Sequence, residues 1–260
     1  MNLLEKYDTF IFDLDGTIYV EDSLIDGADK TINLLTEKGK NILFVSNKTT
    51  GTAYDYYLFL KNKGINMIPE QVITAADVLQ KYLINTDFKG KFFAIGENSF
   101  IDNLQSDNIV YSENPGEIDL VIVTLDRTLN YKKLEIAKSA INKGAKYYSA
   151  NMDVTCPVST GEILDAGAII SALSKATEKT PNKNFGKPSN YMFNAIKEKL
   201  NFDKQKTLII GDRLETDILM GITFDVDTAL VATGVPKTST NMLLIKPNYK
   251  LNSVFDIISQ

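Results

Sequence analysis

Short, unbroken apolar runs alternate along this chain with segments whose apolar residues recur every three or four positions. Residues 9–14 (TFIFDL) and 41–46 (NILFVS) are of the first kind, with the length and composition of buried strands. Between them Ile32, Leu34 and Leu35 share a helical face, and Gly39 supplies a stop. Residues 54–63 predict the next helix, closed by Gly64. Toward the C-terminus, residues 207–210 (TLII) predict another buried strand, followed by a helix near 214–220 and a strand near 228–231. Buried strands interleaved with helices predict an α/β fold with a mostly parallel sheet.

The middle of the chain repeats the alternation with its own elements. Residues 92–95 and 120–123 predict strands, 132–143 a helix stopped by Gly144, 146–150 a strand and 168–177 a helix. The polar, proline-bearing stretch 178–187 (EKTPNKNFGK) is the best linker, and a second boundary falls within 76–88. Periodicity is compatible with one large sheet or with a core interrupted by an insert.

Composition narrows the chemistry. The chain has 260 residues, 28 basic and 33 acidic, one cysteine, no tryptophan and no histidine. Without histidine there is no Ser-His-Asp or Cys-His machinery and no histidine-bound zinc. One cysteine makes no intrachain disulfide. Proton transfer and metal binding fall to carboxylates, lysines, hydroxyls and backbone oxygens, a donor set that favours hard cations such as Mg²⁺. The net charge of −5 argues against a nucleic-acid binder. No apolar stretch spans a bilayer and the N-terminal residues do not read as a signal peptide, so a soluble cytoplasmic protein is expected.

Two aspartate clusters follow predicted strands. In DLDGT, Asp13 and Asp15 are two residues apart and start on one side of the strand, at its carboxyl end, where open α/β sheets collect ligands. Taken alone, this is also the sequence of an Asx turn. In GDRLETD, Asp212 again follows a strand and Asp217 lies on the next helix; that it merely decorates the first turn is the lesser reading. Together the two clusters can build an oxygen-rich Mg²⁺ site. Ser46-Asn47-Lys48 ends the strand NILFVS with hydroxyl, amide and backbone donors, and Gly186-Lys187-Pro188 sets a lysine beside a turn.

These four segments, DLDGT, VSN, GKP and GDRLETD, resemble in order the motifs of the haloacid dehalogenase superfamily of aspartate-nucleophile phosphohydrolases. GKPSNYMF, GDRLETDILMG and the middle segment AIGENSF…VIVTLDRTLNY…GEILDAGAI resemble its NagD-like, para-nitrophenylphosphatase branch. The resemblance implies a Rossmann-like core with helices on both faces, formed by residues 1–77 and 185–260, and an inserted α/β cap of residues 78–184 that selects the substrate. It implies Asp13 as nucleophile and Asp15 as general acid, then base. Mg²⁺ is implied on the carboxylates of Asp13 and Asp212 and the backbone carbonyl of Asp15, with Asp217 supporting from behind. Ser46, Asn47 and Lys48 are implied to bind phosphate, although Lys48 departs from the Asn or Tyr expected there. Lys187 is implied to neutralise the nucleophile and the transferring phosphoryl group. In the cap, Asp126, Arg127, Asn151, Asp153 and the loop 162–167 are candidates for facing the leaving group, while Cys156 reads as structural.

The expected activity is Mg²⁺-dependent hydrolysis of phosphate monoesters of small metabolites through an aspartyl-phosphate. Rival readings are a phosphotransferase or mutase on the same scaffold and a non-catalytic, receiver-like phosphate-binding module. The expected partner is a small phosphorylated metabolite, with no nucleic acid and no membrane. A homodimer through the cap is an expectation of the resemblance alone.

Overall fold

The computed structural model describes residues 2–234 and 245–259. Apart from two short antiparallel pairs, its strands fall into two parallel sheets, which settles the choice that periodicity left open. The first has six strands in the order Tyr249–Leu251, Asp227–Val231, Thr207–Gly211, Thr9–Phe12, Asn41–Ser46, Val72–Thr74. The second has five, in the order Lys183–Asn184, Lys146–Ser149, Leu120–Val123, Lys91–Ile95, Val110–Tyr111. All strands of the second sheet lie in sequence between Val72–Thr74 and Thr207–Gly211, so it is inserted into the first.

Alternation along each strand decides what packs on each face. Phe10, Phe12, Ile42, Phe44, Leu208 and Ile210 point to one side of the six-stranded sheet, against helices Ala28–Glu37 and Ala53–Asn62. Ile11, Leu43, Val45, Ile73 and Ile209 point to the other, against helices Ala75–Asn85 and Asn190–Lys199. That second cluster continues without a break into Phe92, Ala94, Leu120 and Ile122 of the inserted sheet. The insert's remaining face, Phe93, Ile95, Val121 and Val123, is covered by helices Tyr131–Asn142 and Ala166–Thr177. Both sheets are therefore buried on both faces, which is why their strands read as continuous apolar runs.

Three elements depart from the sequence reading. Residues 178–187 are not only a linker: Lys183–Asn184 pairs with Tyr148 and Ser149 as an edge strand. Val72–Thr74, too short for a periodic signal, is the sixth core strand, and residue 78 lies inside the helix that follows it. The stretch near 214–220 opens as a π-helical turn, Leu214–Ile218, before the α-helix Leu219–Phe224. An antiparallel hairpin, Thr155–Val158 with Gly161–Leu164, projects from the insert. Among the described residues no helix is long and apolar enough to cross a membrane.

Candidate active site

Three adjacent core strands end on one cavity. Backbone pairing of Thr9–Phe12 continues one residue further, with Asp13 N donating to Ile210 O at 2.8 Å, so Asp13 leaves the sheet edge in a fixed position. The chain then turns at Gly16, whose φ of +83° suits glycine. A Cβ there would stand 2.6 Å from Asp212 Oδ2, so the glycine also admits the second aspartate. Ser46 ends the neighbouring strand and Asp212 follows Thr207–Gly211 on the other side.

Lys187 arrives from across the molecule and is 2% exposed. Its Nζ donates to Asp13 Oδ1 at 2.5 Å and to Val45 O at 2.9 Å, and pairs with Asp217 Oδ1 at 2.7 Å. Burial alone would lower its pKa; the carboxylates of Asp13 and Asp217 outweigh burial and raise it, so the ammonium stays charged. Asn47 fixes the segment that carries it, accepting from Lys187 N at 2.7 Å through Oδ1. Burial pushes Asp217 up to about 6, against the opposing field of Lys187. Its Oδ2 accepts from the backbone N of Arg213 at 3.3 Å.

Oxygens of Asp13, Asp212 and Asp217 lie within 4.8 Å of one another. Burial, then the charges of Asp13 and Asp217, drive Asp212 well above the usual carboxylate range. Neither Asp212 oxygen has a hydrogen-bond partner among the described residues. A buried carboxylate without a donor is costly, and a hard divalent cation is the ligand that fits this all-oxygen set. Asp217 belongs to this group and also contacts Lys187.

Asp15 faces the cavity on a different side. Lys48 Nζ donates to its Oδ1 at 2.5 Å and Tyr19 Oη to its Oδ2 at 3.1 Å. Burial raises the Asp15 pKa and Lys48 opposes that rise, with a net upward shift. Ser46 Oγ accepts from Lys48 N at 3.0 Å.

All the predicted core residues are thus brought together. Asp13, Asp15, Ser46, Asn47, Lys48, Lys187 and Asp217 line one cavity, and Asp212 adjoins it through the carboxylate group. The insert closes it with Asp153, Thr155, Cys156, Pro157 and Asp165. Of the insert candidates, Asp126 pairs with Lys133 at 2.6 Å and Arg127 with Glu97 at 2.6 Å, away from the cavity lining. Asn151 braces the loop, donating to Asn47 O at 3.1 Å. Burial pushes the Cys156 thiol up to about 12, which keeps it neutral. Tyr19 and Arg213 were not singled out by sequence; only the adjacency of Arg213 to Asp212 inside GDRLETD pointed to it.

Comparison with known proteins gives the family. A haloacid dehalogenase-like hydrolase model matches residues 10–110, and a second, HAD-hydrolase-like model matches residues 184–257. An acid sugar phosphatase of Staphylococcus haemolyticus is 32% identical over 89% of this chain and 88% of its own length. The chloroplastic phosphoglycolate phosphatase 1A of Arabidopsis thaliana is 30% identical over 99% of this chain and 78% of its own. The crystal structure of a 4-nitrophenylphosphatase from Thermotoga maritima superposes with a TM-score of 0.87 at 29% identity, covering 99% of this chain and 98% of that one. The chain therefore belongs to the haloacid dehalogenase-like hydrolases, in the NagD-like, 4-nitrophenylphosphatase branch, as a phosphoric monoester hydrolase.

Proposed function

We propose that this protein hydrolyses phosphate monoesters of small metabolites through an aspartyl-phosphate on Asp13. The observation that carries the reading is a strand-end carboxylate locked to a buried lysine, with a second carboxylate two residues on facing the same cavity. Asp13 attacks phosphorus, and the phosphorus–oxygen bond to the alcohol breaks as Asp15 gives that oxygen a proton. Asp15 then takes a proton from water, whose oxygen attacks phosphorus and releases Asp13 and free phosphate. Splitting the hydrolysis makes two easier steps. The upward shift of Asp15 favours the protonated form the first step requires.

Carboxylate and phosphate dianion repel, and Lys187 offsets that repulsion at Asp13 while Ser46, Asn47 and Lys48 supply donors for phosphoryl oxygens. In our reading the cation is Mg²⁺, held by Asp13, Asp212 and the Asp15 carbonyl, with Asp217 beside them. When bound it supplies further positive charge for the transferring group. A receiver-like module has no use for Asp15 two residues after the phosphorylated position. We assign residues 78–184 as the cap, and residues 1–77 and 185–260 as the core. The same reading carries a cytoplasmic enzyme, indifferent to nucleic acid and membrane, that dimerises through the cap.

The test is phosphate release from a panel of phosphorylated metabolites with Mg²⁺, with Asp13→Asn as blank. Release without an added acceptor, lost on chelation and restored by Mg²⁺, is expected. Turnover that persists in the Asp13→Asn protein would overturn the assignment, and phosphoryl transfer only to an added alcohol would favour a phosphotransferase.

A further inference from the structure

The two lysines of the cavity are already paired, Lys187 with Asp13 and Asp217 and Lys48 with Asp15. The third cation, Arg213, has an ion pair with Glu215 but no hydrogen bond at its terminal nitrogens among the described residues. It is 7% exposed and lines the cavity. Its ion pair there, Nη1 to Glu215 Oε1 at 3.9 Å, exceeds hydrogen-bond length. Asp153, contributed by the insert, offers the complement. Its Oδ2 accepts from Asn47 Nδ2 at 3.0 Å, while its Oδ1 is buried and accepts from no donor among the described residues. Arg213 and Asp153 lie in each other's field without forming an ion pair. The remaining carboxylate of the insert, Asp165, is occupied: its Oδ1 accepts from Ala166 N at 2.5 Å and from Asn151 Nδ2 at 3.3 Å.

We propose that Arg213 and Asp153 together bind a hydroxyl of the leaving group, which makes the substrates phosphate monoesters of small neutral polyols or sugars rather than of hydroxy acids. This rests on the phosphatase reading and adds the class of alcohol released. A hydroxyl satisfies both sides, donating its proton to Asp153 Oδ1 and accepting from Arg213. A carboxylate can only accept; it leaves Asp153 Oδ1 without a donor and sets a third negative charge beside Asp153 and Asp165. An apolar leaving group satisfies neither.

The experiment compares kcat/KM for glycerol 3-phosphate, propyl phosphate and phosphoglycolate on the full chain with Mg²⁺, with phenyl phosphate as a reference. Glycerol 3-phosphate should exceed propyl phosphate by about 10²-fold or more, since a site built for a hydroxyl rejects its absence. Asp153→Asn and Arg213→Lys should each shrink that ratio at least about tenfold. Asp153→Asn should also raise phosphoglycolate relative to glycerol 3-phosphate. Equal use of glycerol 3-phosphate and propyl phosphate, or variants that lower both in proportion, would overturn the proposal; thermal melts of both variants separate misfolding from selectivity. If the unsubstituted protein hydrolyses none of these esters, phenyl phosphate included, the phosphatase reading fails. Calorimetric binding of glycerol 3-phosphate and propyl phosphate to the Asp13→Asn protein then decides the inference. A preference for the hydroxylated ester that vanishes on adding Asp153→Asn supports it, and no preference overturns it.

Discussion

Two groups of charges lining one cavity, an inner one around Asp13 and an outer one shared with the insert, are built on opposite plans. In the inner group, Asp13, Lys187 and Asp217 hold one another within 2.5–2.7 Å on elements of the core. Their charges are fixed before any substrate enters, which is what stabilising a transferring phosphoryl group demands. In the outer group, Arg213 and Asp153 face the same space and do not meet. One comes from the core and the other from the loop ahead of the hairpin. Rigid strand ends carry chemistry common to every phosphate monoester, whereas loops and inserts carry what differs between substrates. Charges paired at hydrogen-bond distance mark the first role here, and complementary ones with open hydrogen-bonding atoms the second.

Substitutions in the inner group should damage all substrates alike. Asp13→Asn keeps the side-chain shape and leaves Lys187 its contacts with Val45 and Asp217, so the fold should persist. Phosphate release should fall on the order of 10⁴-fold or more, as expected when a nucleophile is removed; single-turnover kinetics on several esters measure this. Asp15→Asn should cost about 10²- to 10⁴-fold, the scale of one acid–base group. That loss should be greater for alkyl phosphates than for 4-nitrophenyl phosphate, because nitrophenolate departs without a proton. Equal losses across leaving groups would remove Asp15 from the acid role.

Much of the inner group was legible in the sequence, because its residues sit where short, strongly apolar strands stop. Asp13, Ser46 and Asp212 are strand-end residues, and strand identity is the most readable local signal. The contacts among them were less legible. Lys48 reaches Asp15 across 33 residues and Lys187 reaches Asp13 across 174, and no local pattern encodes either pairing. The outer group was least legible. Asp126, Arg127 and Asp153 read alike as polar insert residues, yet Lys133 and Glu97 claim the first two and leave Asp153 to the cavity. The edge strand Lys183–Asn184 was hidden for a related reason, since two polar residues carry no period and are ordered by their partner strand.

Lys48 lies between the two plans, a phosphate-loop residue whose ammonium is spent on Asp15. Its placement predicts that it positions Asp15 as well as binding phosphate. A hydrogen bond to a charged group contributes about 1.5–3 kcal/mol, so Lys48→Met should lower kcat by about 10- to 150-fold. As with Asp15→Asn, alkyl phosphates should lose more than 4-nitrophenyl phosphate. A rise in KM alone, equal across leaving groups, would reduce Lys48 to phosphate binding.

The smallest effect is the most specific to the outer group. Burial pushes Asp153 up to about 6, with Arg213 opposing, so its carboxyl is mostly neutral below that pH and charged above it. Neutral Asp153 neither repels a carboxylate on the leaving group nor lacks a proton to donate to it. Ionised Asp153 does both, and it accepts from a hydroxyl instead. The kcat/KM ratio of phosphoglycolate to glycerol 3-phosphate should therefore fall as pH rises through 6, by a few-fold, about the size of a partly screened charge interaction. Taking a ratio cancels Asp15, Asp217 and the phosphate's own ionisation, which act on both esters; Asp165, raised by burial and lining the same cavity, does not cancel. In Asp153→Asn the ratio should therefore lie higher and keep only the shallower fall that Asp165 contributes. A ratio that is flat in the unsubstituted protein, or that rises with pH, would mean that Asp153 does not face the leaving group, and would leave Arg213 as a receptor for acids.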